Sequence, residues 1–79
     1  MKFTKEIRTK RRVLRTTREA LRFIDSELSV ELKVKPRWTF ARDLLIVAER
    51  SEKSRDLNCA YRQLRQALKN DLMLGDKPN

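Results

Sequence analysis

Very few side chains in this sequence could do covalent or acid–base chemistry. The 79 residues include no histidine, one cysteine (Cys59), one tyrosine (Tyr61), one tryptophan (Trp38) and one glycine (Gly75). Proton transfer near neutral pH would fall to carboxylates, Lys, Tyr61 or Cys59, and these form no recognisable constellation. A single cysteine without histidine cannot furnish a tetrahedral zinc site, and a single glycine cannot build a phosphate-cradling loop. The expectation is a non-enzyme with no metal and no cofactor. Cys59 and Tyr61 flank the apolar face of a helical pattern, where packing is their simplest role, and nothing adjacent would clearly lower the thiol pKa. Trp38 beside Arg37 would suit a partner anchor or a base stack, but in so small a core packing is the stronger expectation.

The side chain that the sequence does supply in quantity is the guanidinium. Lys and Arg number 20 against 11 Asp and Glu, for a net charge of +9 and a pI near 10.5. The distribution is uneven. Residues 1–18 carry eight basic residues against Glu6 alone, so this segment holds +7 of the total. A partner of opposite sign would see that asymmetry. Two surfaces emerge as polyanion-binding candidates. The first is Lys10, Arg11, Arg12, Arg15 and Arg18, continued by Arg22 one helical turn on. The second is the polar face of the last helical segment, where Arg55, Asn58, Arg62, Arg65 and Lys69 recur with Gln66 interleaved. Arginine predominates in both, and its planar fork matches phosphate oxygens. The competing reading is that surplus charge keeps a small apolar-rich domain soluble. Because the first surface has almost no acidic neighbours in sequence, replacing Arg11, Arg12 and Arg15 is expected to weaken polyanion binding more than replacing Arg62 and Arg65. Ser51 to Ser54 between two helical segments also permits a helix-turn-helix reading, although no glycine marks the turn.

The elements that must position these residues are mostly helical. Pro36–Ser51 is the most apolar stretch. Pro36 suits a first helical turn, and Trp38, Ala41, Leu45 and Ala48 recur at helical spacing beside a second stripe of Phe40, Leu44 and Val47. Two stripes predict neighbours on more than one face of this central helix. Ahead of it, Thr16 and Glu19 form a capping box, which predicts a first helix from about Thr17 to Leu28. Leu28, Val30, Leu32 and Val34 then alternate with polar residues, predicting an extended segment, and Lys35-Pro36 ends it. Ser54 is the expected N-cap of the last helix, with Asp56 in its first turn. Leu57, Ala60, Tyr61, Leu64, Ala67, Leu68 and Leu72 carry the cleanest amphipathic pattern, predicting a helix to about Leu74 capped by a left-handed Gly75. Residues 2–15 lack helical periodicity and read as two short strands turning near Lys10-Arg11.

The run Thr16-Thr17-Arg18-Glu19-Ala20-Leu21-Arg22-Phe23-Ile24, behind a basic strand-like stretch and ahead of further helices, resembles a small uncharacterised bacterial family. That family, common in rhizobia, is number nine-eight-two among the domains of unknown function. The likeness spans about residues 3–70. It implies a ββααα order and brings no catalytic or ligand residues with it.

Together these features predict an α+β, mainly α fold: a short N-terminal β-hairpin followed by three helices. The alternative is an all-α three-helix domain with a disordered basic N-terminus. One small domain spans 1–79, with 1–15 as a basic hairpin or arm and 75–79 as a frayed tail. No run approaches the roughly 18 apolar residues of a membrane span. No apolar stretch follows the charged start to make a signal peptide, and a lone cysteine suits a reducing compartment, so a cytoplasmic location is expected. The functional expectation is a nucleic-acid-binding accessory protein using its Arg-rich N-terminal surface, with nucleic acid or an acidic protein as partner. The alternative is a protein-interaction or self-associating module, in which a homodimer completes the apolar surplus of the central helix and nucleic acid plays no part.

Overall fold

Thr9 turns the chain without a glycine. Its hydroxyl accepts from the Arg12 N–H at 2.9 Å and the Arg11 N–H at 3.3 Å and donates to the Arg12 carbonyl, while its own N–H donates to that carbonyl at 2.8 Å. This hydroxyl-closed turn joins β1 (Lys2–Arg8) to β2 (Val13–Thr16) as an antiparallel pair, with Ile7 opposite Leu14 and Lys2 opposite Thr16. The basic N-terminus is therefore a hairpin and not a disordered arm. Its register shifts between Lys2 and Ile7, and Phe3 and Ile7, four residues apart, share the buried face.

The structure, a computed structural model, describes residues 1–75. After the hairpin come α1 (Thr17–Glu27), α2 (Val30–Lys33), α3 (Pro36–Ser51) and α4 (Ser54–Asn70). The fold class is α+β, mainly α. The capping box at α1 is complete: the Glu19 N–H donates to the Thr16 hydroxyl at 3.1 Å and the Glu19 carboxylate accepts from the Thr16 N–H at 3.2 Å.

The segment 28–34 departs from the extended expectation. Leu28 is extended, but the Ser29 hydroxyl then accepts from the Leu32 N–H and nucleates the single turn α2. Spacing of four residues wins over alternation because it turns Leu28 and Leu32 toward the core and leaves Val30 and Val34 exposed.

The core lies between the inner hairpin face (Phe3, Ile7, Leu14), α1 (Ala20, Phe23, Ile24) and the α3–α4 pair. Ala41 and Ala48 on α3 and Ala60 and Ala67 on α4 are fully buried at seven-residue spacing. Small residues at the seam of both helices allow axes to approach to about 8 Å. Of the two stripes on α3, only Trp38, Ala41, Leu45 and Ala48 are internal. Leu44 is half-buried against the core, whereas Phe40 is 53% exposed and Val47 47% exposed, so the second stripe is only partly covered by the described residues.

The C-terminal end also differs from expectation. Ser54 is the first residue of α4 and not its cap, the helix stops at Asn70, and the left-handed residue is Leu72 with φ 57°. The chain then folds back on the hairpin. Lys10 N–H donates to the Met73 carbonyl at 3.1 Å, Leu74 bridges Thr9, and Gly75 N–H donates to the Arg8 carbonyl at 2.8 Å. Gly75 serves close approach here, since a Cβ would lie 2.5 Å from the Thr9 carbonyl oxygen. Of the expected frayed tail, Gly75 is thus placed by pairing, and residues 76–79 lie outside the described residues.

Candidate nucleic-acid interface

The six residues of the first surface fall on three elements. Lys10, Arg11 and Arg12 sit at or beside the hairpin turn, Arg15 on the outward face of β2, and Arg18 and Arg22 on α1, all exposed. Carboxylates that are distant in sequence close on half of them. Arg12 Nε meets Glu27 at 2.5 Å, Arg15 Nε meets Glu6 at 3.4 Å, and Arg18 Nε meets Glu49 at 3.3 Å. Arg11, Lys10 and Arg22 have no ion-pair partner among the described residues. Lys10 and Arg11 rim a depression of about 220 Å³ whose floor includes Phe23, Glu27 and Met73.

Glu49 is the most perturbed of these carboxylates. It accepts from the α-amino group of Met1 at 2.8 Å and from the Thr17 hydroxyl, with Arg18 on its second oxygen. The hydrogen bond from the amino group, then that from Thr17, hold its carboxyl below the ordinary 4.5, at about 2. A depressed carboxyl contributes stability that is complete above its unfolded value and is lost as pH falls toward the folded one. Glu49→Gln should therefore lower the thermal midpoint, by about 1–2 kcal/mol in stability, at any pH above about 5. Thermal melts at decreasing pH should show the wild type losing its margin over the variant between 4.5 and about 2. A margin that does not change over that range would show that the Glu49 cluster is not formed.

The second surface is one continuous stripe. Arg55, Asn58, Arg62, Arg65 and Lys69 succeed one another at alternating steps of three and four along α4. That spacing keeps them on one face over a length of about 21 Å. Arg55, Arg62 and Lys69 are exposed and are in no ion pair among the described residues, since Asp56 is the only acidic residue within the helix and is turned toward Ser51, whose hydroxyl donates to it at 2.6 Å. Two shallow depressions follow the stripe. One is lined by Arg55, Asn58, Cys59, Tyr61 and Arg62, the other by Tyr61, Arg62, Arg65, Gln66, Lys69 and Leu74. Tyr61 lies between them, half-buried, edge-on to Phe3 with ring centroids 5.6 Å apart, and the Arg65 guanidinium lies 6.0 Å from its ring centroid.

The remaining singled-out residues divide. Trp38 is completely buried and is structural: its indole N–H donates to Asp71 at 2.6 Å. Tyr61 packs on Phe3 as expected. Cys59 does not pack; it is an exposed free thiol on the outer side of α4. The helix-turn-helix reading does not survive, because Arg37 at the start of α3 grips Asp71 just beyond α4, which makes the pair an antiparallel hairpin. Among the described residues no three His, Cys, Asp or Glu side chains converge on a metal-sized site, and no helix is long and apolar enough to cross a membrane. Sequence reasoning missed Asp71, Glu27 and Glu49 as electrostatic partners; no local pattern signals contacts between residues so far apart. Compared with protein-family models, curated proteins and solved structures, the chain has no match.

Proposed function

We propose that this chain is a small nucleic-acid-binding accessory protein of the cytoplasm that holds phosphates electrostatically. The α4 stripe would make the principal contact, and the N-terminal surface through Lys10, Arg11 and Arg22 would add to the field. The observation that carries this reading is the row of Arg55, Arg62 and Lys69, exposed along one helix face with no carboxylate committed to them among the described residues. Guanidinium groups that spend no charge internally are available to replace condensed counterions. A face about 21 Å long also matches roughly six steps of a nucleic-acid strand at about 3.4 Å each. Charge on this scale supplies sequence-independent affinity and rapid encounter, and the exposed polar side chains Asn58 and Gln66 lie within the same row.

The test is fluorescence anisotropy with labelled duplex and single-stranded DNA and RNA over salt from about 20 to about 200 mM. The expected result is binding at low salt whose log affinity falls linearly with log salt, with a slope of about −3 to −5 on duplex. Absence of binding at the lowest salt would remove the proposal, and salt-independent binding would remove its electrostatic basis.

A further inference from the structure

The outward face of α3 carries an apolar stripe that is only partly covered among the described residues, and we infer that it pairs with the same face of a second copy in a twofold antiparallel dimer. Phe40, Leu44 and Val47 succeed one another at steps of four and three, the spacing of a helix–helix seam, with Phe40 and Val47 about half exposed. Helical phase places Asp43 and Arg50 together on one flank of this stripe, seven residues apart. Neither has an ion-pair partner among the described residues, although Arg42 next to them is taken by Asp25 at 3.3 Å.

Those two charges select both the occupant and the orientation. A second copy brings the same pair, and twofold symmetry requires that if Asp43 faces Arg50, then Arg50 faces Asp43. Antiparallel helices meet this condition with Leu44 and Val47 near the axis, where the flanking positions of the two seams oppose each other. Parallel helices would instead place the two copies of this flank on opposite sides of the seam, where neither Asp43 nor Arg50 would meet a partner from the other copy's flank. The face is also the place where a chain of net charge +9 can meet its copy, because the charges flanking the seam, one of each sign, cancel locally. One helix stripe buries less than the roughly 1,200–2,000 Å² of a stable interface, so the dimer is weak. This inference does not depend on nucleic-acid binding.

Sedimentation equilibrium of the full chain, freed of nucleic acid and run at about 0.3 M salt to suppress bridging by polyanions, tests it over about 5–500 μM protein. The expected result is a monomer–dimer equilibrium in that range. Asp43→Arg alone and Arg50→Asp alone each place like charges opposite one another twice and should weaken association at least about tenfold. The double variant D43R/R50D should restore it to within about threefold, and Val47→Glu should abolish it. All three positions altered are outside the core, and circular dichroism verifies that each variant folds. A monomer at every concentration overturns the inference. So does a dimer indifferent to the single reversals, or one that the double exchange fails to restore.

Discussion

Asp71→Ala is expected to destabilise the fold by about 2–4 kcal/mol, more than the loss expected of Glu49→Gln. Asp71 lies just past α4 and closes the open end of the α3–α4 hairpin. Its Oδ2 accepts from the Trp38 indole N–H at 2.6 Å and from Arg37 Nε at 3.0 Å, while Oδ1 accepts from Arg37 Nη2 at 2.6 Å. The carboxylate is 12% exposed and the Trp38 ring is completely buried. Removing the acceptor leaves the buried indole N–H without its protein partner and the Arg37 guanidinium without its carboxylate, and these lost hydrogen bonds make up the cost. The Arg37 hydrogen bonds, followed by the one from Trp38, hold the Asp71 carboxyl below its ordinary value against the opposing effect of burial. Its stabilisation is therefore present above the unfolded pKa and is lost as pH falls through the folded one. Urea denaturation near neutral pH measures the loss, and Asp71→Asn separates its parts. Asn keeps one acceptor for the indole and should recover part of the stability, but not the bidentate pairing with Arg37. A loss below about 1 kcal/mol for Asp71→Ala would show that the clasp contributes no more than a surface pair.

What could be read from the sequence depended on the distance over which each feature is encoded. The capping box needs only Thr16 and Glu19, and α3 needs only Pro36 and the periodic Trp38, Ala41, Leu45 and Ala48, so both elements were legible residue by residue. The hairpin was legible as a change of period, although its turn is closed by the Thr9 side chain and not by the usual glycine pair. Segment 28–34 was misread because Leu28, Val30, Leu32 and Val34 satisfy two periods at once. Only packing against the core decides that Leu28 and Leu32 are the inward pair. The second stripe on α3 was legible as apolar, but no sequence pattern says whether a neighbour from the same chain will cover it. The C-terminal residues were the least legible. Leu72 takes the left-handed conformation expected of Gly75, and Gly75 is used instead for its close approach to Thr9. Both choices follow from a tail that pairs with the hairpin some 65 residues earlier in the chain.

The same non-local encoding reverses the expected order of the two basic surfaces. In sequence, Arg11, Arg12 and Arg15 have almost no acidic neighbours; in the fold, Arg12 is held by Glu27 and Arg15 by Glu6. An arginine already paired must give up its carboxylate before it neutralises a phosphate, so its net gain from a polyanion is small. Only Arg11 of these three is free among the described residues, whereas Arg55, Arg62 and Lys69 on α4 are all exposed and unpaired there. Each phosphate contact adds about 0.9 to the salt slope on duplex DNA, which at about 0.1 M salt is worth close to tenfold in affinity. Replacing Arg55, Arg62 and Lys69 together by Ala should therefore cost about 10²–10³-fold in binding and flatten the slope by about 2.7. Replacing Arg11, Arg12 and Arg15 together should cost only about tenfold and flatten it by about 1. Stability should respond in the opposite order: the N-terminal triple loses two ion pairs worth at most about 1 kcal/mol each, while the α4 triple leaves the thermal midpoint nearly unchanged. Anisotropy titrations of both triples at four or more salt concentrations, with melts of the same preparations, measure all of these quantities. A steeper loss from the N-terminal triple would move the principal contact to the hairpin. Equal and negligible losses would leave the charge serving solubility alone.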